Sequence, residues 1–128
     1  MNGTDNSQDW TKRETVIDFC KSLSPAVVED YPFHDGNWTV MRHWGNRKGF
    51  AFIYERQGRI QVNVKCSPEW REFWRDTYPS VTPGYHMNKE HWNTIVLDGT
   101  VPPEEIQNML LESFRLTAPK RKEIPPQC

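Results

Sequence analysis

No stretch of this 128-residue chain approaches the roughly 18 consecutive apolar residues of a membrane-spanning helix. The opening segment, Met1 to Asp9, has neither the basic start nor the apolar run of a secretory signal, so a cytoplasmic protein without a membrane association is expected. Cysteines are few. Cys20, Cys66 and Cys128 are odd in number and far apart, with no C-x-x-C pair, which argues against both a disulfide framework and a zinc ribbon. Without secretion, the sequons Asn2-Gly3-Thr4 and Asn37-Trp38-Thr39 carry no meaning. A phosphate-cradling glycine loop is missing too, because Gly45 and Gly49 bracket a hairpin instead of opening a helix. There is no internal repeat and no low-complexity tract.

What is present is the balance of one folded domain. Hydrophobic residues make up 36% and charged residues 26%, and the length suits a single core. Six Trp, six Phe and four Tyr supply large side chains that carry much of a small core's burial energy. The domain is expected over 10–118, after a disordered lead-in at 1–9 and before a polar tail at 119–128.

The pattern predicts three helices and five strands. Thr11 and Glu14 have capping-box spacing, and Val16, Phe19, Cys20 and Leu23 follow at helical spacing until Ser24-Pro25 ends the run. Beyond a poorly defined stretch through Val27, Val28 and Phe33, strands are expected at Trp38–Trp44, Phe50–Arg56 and Arg59–Lys65. Gly45 to Gly49 forms the first turn and Gln57-Gly58 the second. In the third strand Ile60, Val62, Val64 and Cys66 alternate with Arg59, Gln61, Asn63 and Lys65, which predicts one packed and one wet face. Ser67-Pro68 starts a second helix whose stripe of Trp70, Phe73 and Trp74 is expected in the core. Two strands at Val81–His86 and Thr94–Leu97 follow, joined by a turn that Asn88 can cap. A last helix opens at Pro102-Pro103-Glu104-Glu105 and buries Ile106, Met109, Leu110 and Phe114. The order α-β-β-β-α-β-β-α gives a two-layer α+β domain, an antiparallel sheet with helices on one face.

Two segments carry a resemblance. Lys65-Cys66-Ser67-Pro68-Glu69 and Pro83-Gly84-Tyr85-His86-Met87-Asn88-Lys89-Glu90-His91-Trp92-Asn93-Thr94, with the hairpin before them and the Pro102-Pro103-Glu104-Glu105 helix start, resemble the MmcQ/YjbR family over residues 12–117. Glu90 departs from the pattern, standing where a basic residue is common. The resemblance implies a fold compared with CyaY-like and secretion-chaperone-like domains. It also implies a DNA-binding label that rests on comparison with a double-wing domain, and it implies no enzymatic activity. Tyr85, His86, Asn88, His91 and Trp92 form its distinctive block, without an assigned role.

Charge is unevenly placed. Between Trp38 and Lys65 lie Arg42, Arg47, Lys48, Arg56, Arg59 and Lys65 against Glu55 alone, a formal +5. The remainder holds ten basic and sixteen acidic residues, a formal −6, and the whole chain carries −1. A positive hairpin on an acidic body suits phosphate contact, with Arg42, Arg47, Lys48, Arg59, Lys65 and, from the neighbouring turn, Lys89 as the candidate DNA-binding residues. The bland alternative is a solvated sheet face whose charges discourage edge pairing. His86 and His91, with His34, His43 or Cys66 as further ligands, lack the short paired spacings of a zinc site, so no metal is expected. No nucleophile stands beside a base, and Cys20 and Cys66 lie on core faces, so neither catalysis nor a cofactor is expected. Two readings remain: a non-enzymatic, salt-sensitive DNA-binding protein, or a module that holds a protein partner on its sheet face or its Tyr85–Trp92 segment.

Overall fold

The computed structural model describes residues 8–120; most of the expected lead-in and tail, 1–7 and 121–128 with Cys128, lies outside that range. Three helices and six strands follow in the order α1 (Arg13–Ser22), β1 (Val27–Asp30), β2 (Thr39–His43), β3 (Gly49–Arg56), β4 (Arg59–Lys65), α2 (Pro68–Thr77), β5 (Val81–Pro83), β6 (Trp92–Val96) and α3 (Pro103–Thr117). The strands form one antiparallel sheet in the order β1-β2-β3-β4-β6-β5. The helices pack on one face of it, giving the expected two-layer α+β domain. Among the described residues no helix is long and apolar enough to cross a membrane.

Strand β1 is an addition to the sequence reading. Val27–Asp30 is short, ends in two acids and shows no alternation. Its identity comes from pairing with β2, which places Val27 opposite His43 and Asp30 opposite Val40. At the other edge, β5 is shorter than expected. Tyr85 and His86 leave the sheet after Pro83, which has no N–H for a ladder bond. The turn between β3 and β4 is as read: Gln57 and Gly58 have φ of 56° and 75°, the double left-handed geometry of a type I′ hairpin.

The core lies between the helices and one sheet face, where Met41, Ile53, Val62, Val64 and Ile95 meet Val16 and Cys20 of α1 and Ile106, Met109 and Leu110 of α3. A register irregularity near Met41 and Arg42 lets the adjacent Phe50 and Ala51 both become fully buried. Phe50 then meets Phe114 edge-on at 5.1 Å. Ser113 ties α3 to the sheet, its hydroxyl donating to the Phe50 carbonyl and accepting the Lys65 N–H.

Three local expectations need correction. Helix α1 starts at Arg13 with no side-chain cap, because the Thr11 hydroxyl donates to the Asp9 carboxylate instead. The α2 stripe is not all core. Trp74 is buried, whereas Trp70 and Phe73 are each 47% exposed, because this ten-residue helix lies against the β5 and β6 end of the sheet and none of the described residues forms a layer above it. Nor is the second face of β4 wet along its whole length: Gln61 and Asn63 are buried there, whereas Arg59 is exposed and Lys65 half-buried.

Candidate binding site on the open sheet face

The face turned away from the helices carries Val40, Phe52, Tyr54, Asn63 and Thr94, and a loop returns over it after β5. Two features force that return. A Cβ on Gly84 would fall 2.8 Å from the Cβ and 2.9 Å from the carbonyl oxygen of Trp92, so only glycine permits this approach. His86 adopts a left-handed φ of 62°, turning the chain back across the sheet. Tyr85 is clamped at both of its backbone groups. Its N–H donates to the Thr94 hydroxyl at 2.8 Å, and its carbonyl accepts the Asn63 amide at 2.8 Å. The Asn63 carbonyl oxygen in turn accepts the Thr94 and Tyr54 hydroxyls at 2.6 and 2.9 Å. Burial pushes the Tyr54 phenol above its ordinary pKa, so it stays a neutral donor.

Aromatic side chains continue across the face. Trp38 stacks on Tyr54 at 4.2 Å, Phe33 meets Trp38 edge-on at 6.1 Å, and Tyr85 lies between Tyr54 and His86. Phe52 meets Trp92 edge-on at 5.5 Å. The segment before β2 is held from the helix side. Arg13 of α1 donates to the Asn37 carbonyl, the Thr39 hydroxyl and the Ile53 carbonyl, and the Asn37 side chain pairs with both backbone groups of Glu55.

Two grooves adjoin on this face. The first, about 620 Å³, is mainly apolar and is lined by Phe33, His34, Asp35, Trp38, Phe52, His86 and Met87. The Asp35 carboxylate accepts the Asn37 N–H. The second, about 390 Å³, is lined by Arg56, Arg59, Gln61, Tyr85, Lys89 and Thr94, among others. Arg56 and Arg59 are direct cross-strand partners, an arrangement that repels when both residues carry the same charge. The Arg56 guanidinium lies 4.1 Å from the centre of the Tyr85 ring, which in turn is 4.0 Å from His86 of the first groove. Lys89 donates to the Gly84 and Met87 carbonyls, and among the described residues no carboxylate pairs with any of the three cations.

The six cations singled out in the sequence divide between opposite ends of the sheet. Arg59 and Lys89 meet in the second groove. Arg47 and Lys48 are exposed in the β2–β3 turn, where Arg47 has a φ of 64°. Arg42 is neutralised by Asp30 at 2.8 Å and also donates to the Arg47 carbonyl. Lys65 ends β4 near that turn, six residues and about 20 Å from Arg59. The distinctive block divides as well. Tyr85, His86 and Trp92 build the open face. Asn88 instead accepts the Glu90 N–H, and the His91 carbonyl accepts the Cys66 N–H.

Phe33, Trp38, Phe52 and Arg56 belong to the site, although nothing in their local sequence singles them out for it. Arg56 was visible as one of the hairpin charges, and Asn63 as an amide between two valines in a strand. Among the described residues no group of three His, Cys, Asp or Glu side chains is placed to hold a metal. Burial pushes the Cys66 thiol up to about 11 and the Cys20 thiol higher still, so neither supplies a thiolate near neutral pH.

A family model described as YjbR matches residues 23–116. The chain is 38% identical over 99 residues to the uncharacterized protein YyaQ of Bacillus subtilis (strain 168), covering 69% of this chain and 83% of that protein. It is also 38% identical over 66 residues to the uncharacterized protein YjbR of Escherichia coli (strain K12), covering 52% of this chain and 56% of that protein. Among solved structures, a protein from Pseudomonas syringae superimposes with a TM-score of 0.74 at 30% identity, over 84% of this chain and 99% of that one. A Deinococcus radiodurans protein does so with a TM-score of 0.78 at 31% identity, over 88% and 83% respectively. In keeping with the block from Pro83 to Thr94, the chain belongs to the YjbR family.

Proposed function

We propose that the chain is a non-enzymatic nucleic-acid-binding module that takes single-stranded DNA on the open sheet face. The observation that carries this reading is the cationic groove. Arg56 and Arg59 face each other across two strands with Lys89 beside them, and among the described residues no carboxylate pairs with them. A bound phosphate relieves that repulsion. The adjoining groove supplies what a phosphate's neighbour in a nucleic acid needs, namely aromatic rings on which a base can stack. Paired bases cannot reach those rings, which favours a single strand over a duplex. With a sequence pI near 6.4, the acidic remainder of the chain keeps such binding modest and steeply salt-dependent.

The test is fluorescence anisotropy with a dye-labelled single-stranded oligonucleotide and the duplex of the same sequence, across a salt series. The single strand binds more tightly, and added salt weakens it. Phe33→Ala costs about 1–3 kcal/mol of binding, the range for loss of one base stack. Arg59→Ala reduces the salt dependence. Absence of binding at low salt would end the reading. Binding insensitive to both substitutions but lost in Arg47→Ala/Lys48→Ala would move the contact to the β2–β3 turn.

A further inference from the structure

On the helix side of the molecule, α2 and α3 leave a groove of about 670 Å³ between them. Its apolar lining includes Trp70, Phe73, Leu111 and Leu116, and three of these are among the exposed large hydrophobic residues of the described chain. Such side chains, left uncovered by the described residues, lose burial energy that a partner restores. Glu105 and Glu112 also line the groove, against one cation, Arg115. The basic residues of α2 do not offset them, because they are turned elsewhere. Arg71 donates to the Glu90 carbonyl and Arg75 to the Lys89 carbonyl and the Asn93 side chain. Glu69 and Asp76 add exposed carboxylates to the same helix. Trp74, which also lines the groove, has a buried indole N–H with no acceptor among the described residues.

From this combination we infer that the α2–α3 groove is a docking site for a basic, amphipathic segment of a partner protein. Apolar side chains of the segment pack on Trp70, Phe73 and Leu116. Its Lys or Arg residues meet Glu105 and Glu112, so charge selects the partner while apolar area supplies affinity. The site lies in the opposite layer from the aromatic face and does not depend on any role of that face.

A synthetic amphipathic peptide of about five helical turns, with leucines at helical spacing flanked by lysines, is the probe. Its control has every lysine replaced by glutamate. Calorimetry on the full chain is expected to show binding of the lysine peptide and at least about tenfold weaker binding of the glutamate peptide. Phe73→Asp and Glu112→Arg each weaken the lysine peptide by about tenfold or more, while Arg59→Ala leaves it unchanged. Phe73 is half-exposed, so its replacement leaves the core intact, and circular dichroism of each variant verifies folding. In ¹⁵N spectra the Trp70 and Trp74 indole resonances shift on binding.

Equal binding of the two peptides, or shifts confined to the open sheet face, would overturn the inference, as would failure of the lysine peptide to bind. Self-association abolished by Phe73→Asp would assign the groove to a second copy. Peptide binding that requires removal of residues 121–128 would assign it to the chain's own end. Either result overturns the inference.

Discussion

Asn63 shows how much a single polar residue organises here. It sits between Val62 and Val64, fully buried, and serves two hydroxyl donors and one backbone acceptor. Asn63→Ala leaves all three groups unsatisfied, an expected loss of about 2–4 kcal/mol by urea denaturation, whereas Tyr54→Phe removes one donor and costs about 1 kcal/mol. Titrating residues set the pH limits of stability. Burial raises the Asp98 pKa, but hydrogen bonds from Ser80 and Thr100 outweigh it and hold the carboxyl below its ordinary 3.8. A depressed folded pKa stabilises above the unfolded value, and that stabilisation is lost as pH falls through the folded one. Thermal melts should therefore weaken below about pH 4, and Asp98→Asn should flatten that acid limb. Cys20 behaves oppositely, because burial raises its pKa from 9.0. Its contribution is complete below pH 9 and is lost as pH rises, so Cys20→Ala should flatten the alkaline limb even while it lowers stability at neutral pH.

At the scale of elements, the open face depends on the junction of β5 and β6 and on the α1 contact with the entry to β2. Gly84→Ala forces a backbone clash with Trp92, with an expected cost of about 1–3 kcal/mol in chemical denaturation. Because the clash displaces Tyr85, it should weaken oligonucleotide binding as well. Gly58→Ala meets open space and strains only its left-handed turn, so it should cost about 1–2 kcal/mol and leave Tyr85 in place. Arg13→Met removes the donors that hold Asn37, Thr39 and Ile53 together. Faster amide exchange confined to the stretch around 37–39 and 53–55 is the expected outcome. Legibility at this scale followed the length of each periodic run. Helix α3 and strands β3 and β4 are long enough for their apolar spacing to identify them. Four-residue β1 has no such spacing, and α2 shows why spacing alone overstates burial. Trp70, Phe73 and Trp74 do share a stripe, but only Trp74 finds a layer to pack against.

Across the whole molecule, the open sheet face and the α2–α3 groove lie on opposite sides of the sheet. Oligonucleotide and peptide binding should therefore be independent. Phe73→Asp should leave DNA affinity unchanged, and saturating one ligand should leave the other's affinity unchanged within error, as measured by paired titrations. The helices, the two hairpin turns, the α+β class, the family and the excess of positive charge between Trp38 and Lys65 are legible along the chain, because each is written in local spacing or in a contiguous motif. Which charges meet depends on how the strands are ordered in space. Strand order places β6 beside β4, and the loop after β5 then carries Lys89 to Arg56 and Arg59, while an eight-residue β3 holds Arg47 and Lys48 at the far end. The same return covers Asn63 and makes an aromatic face of what alternation reads as a wet one. Proximity between distant segments is a property of chain closure, and no local period encodes it.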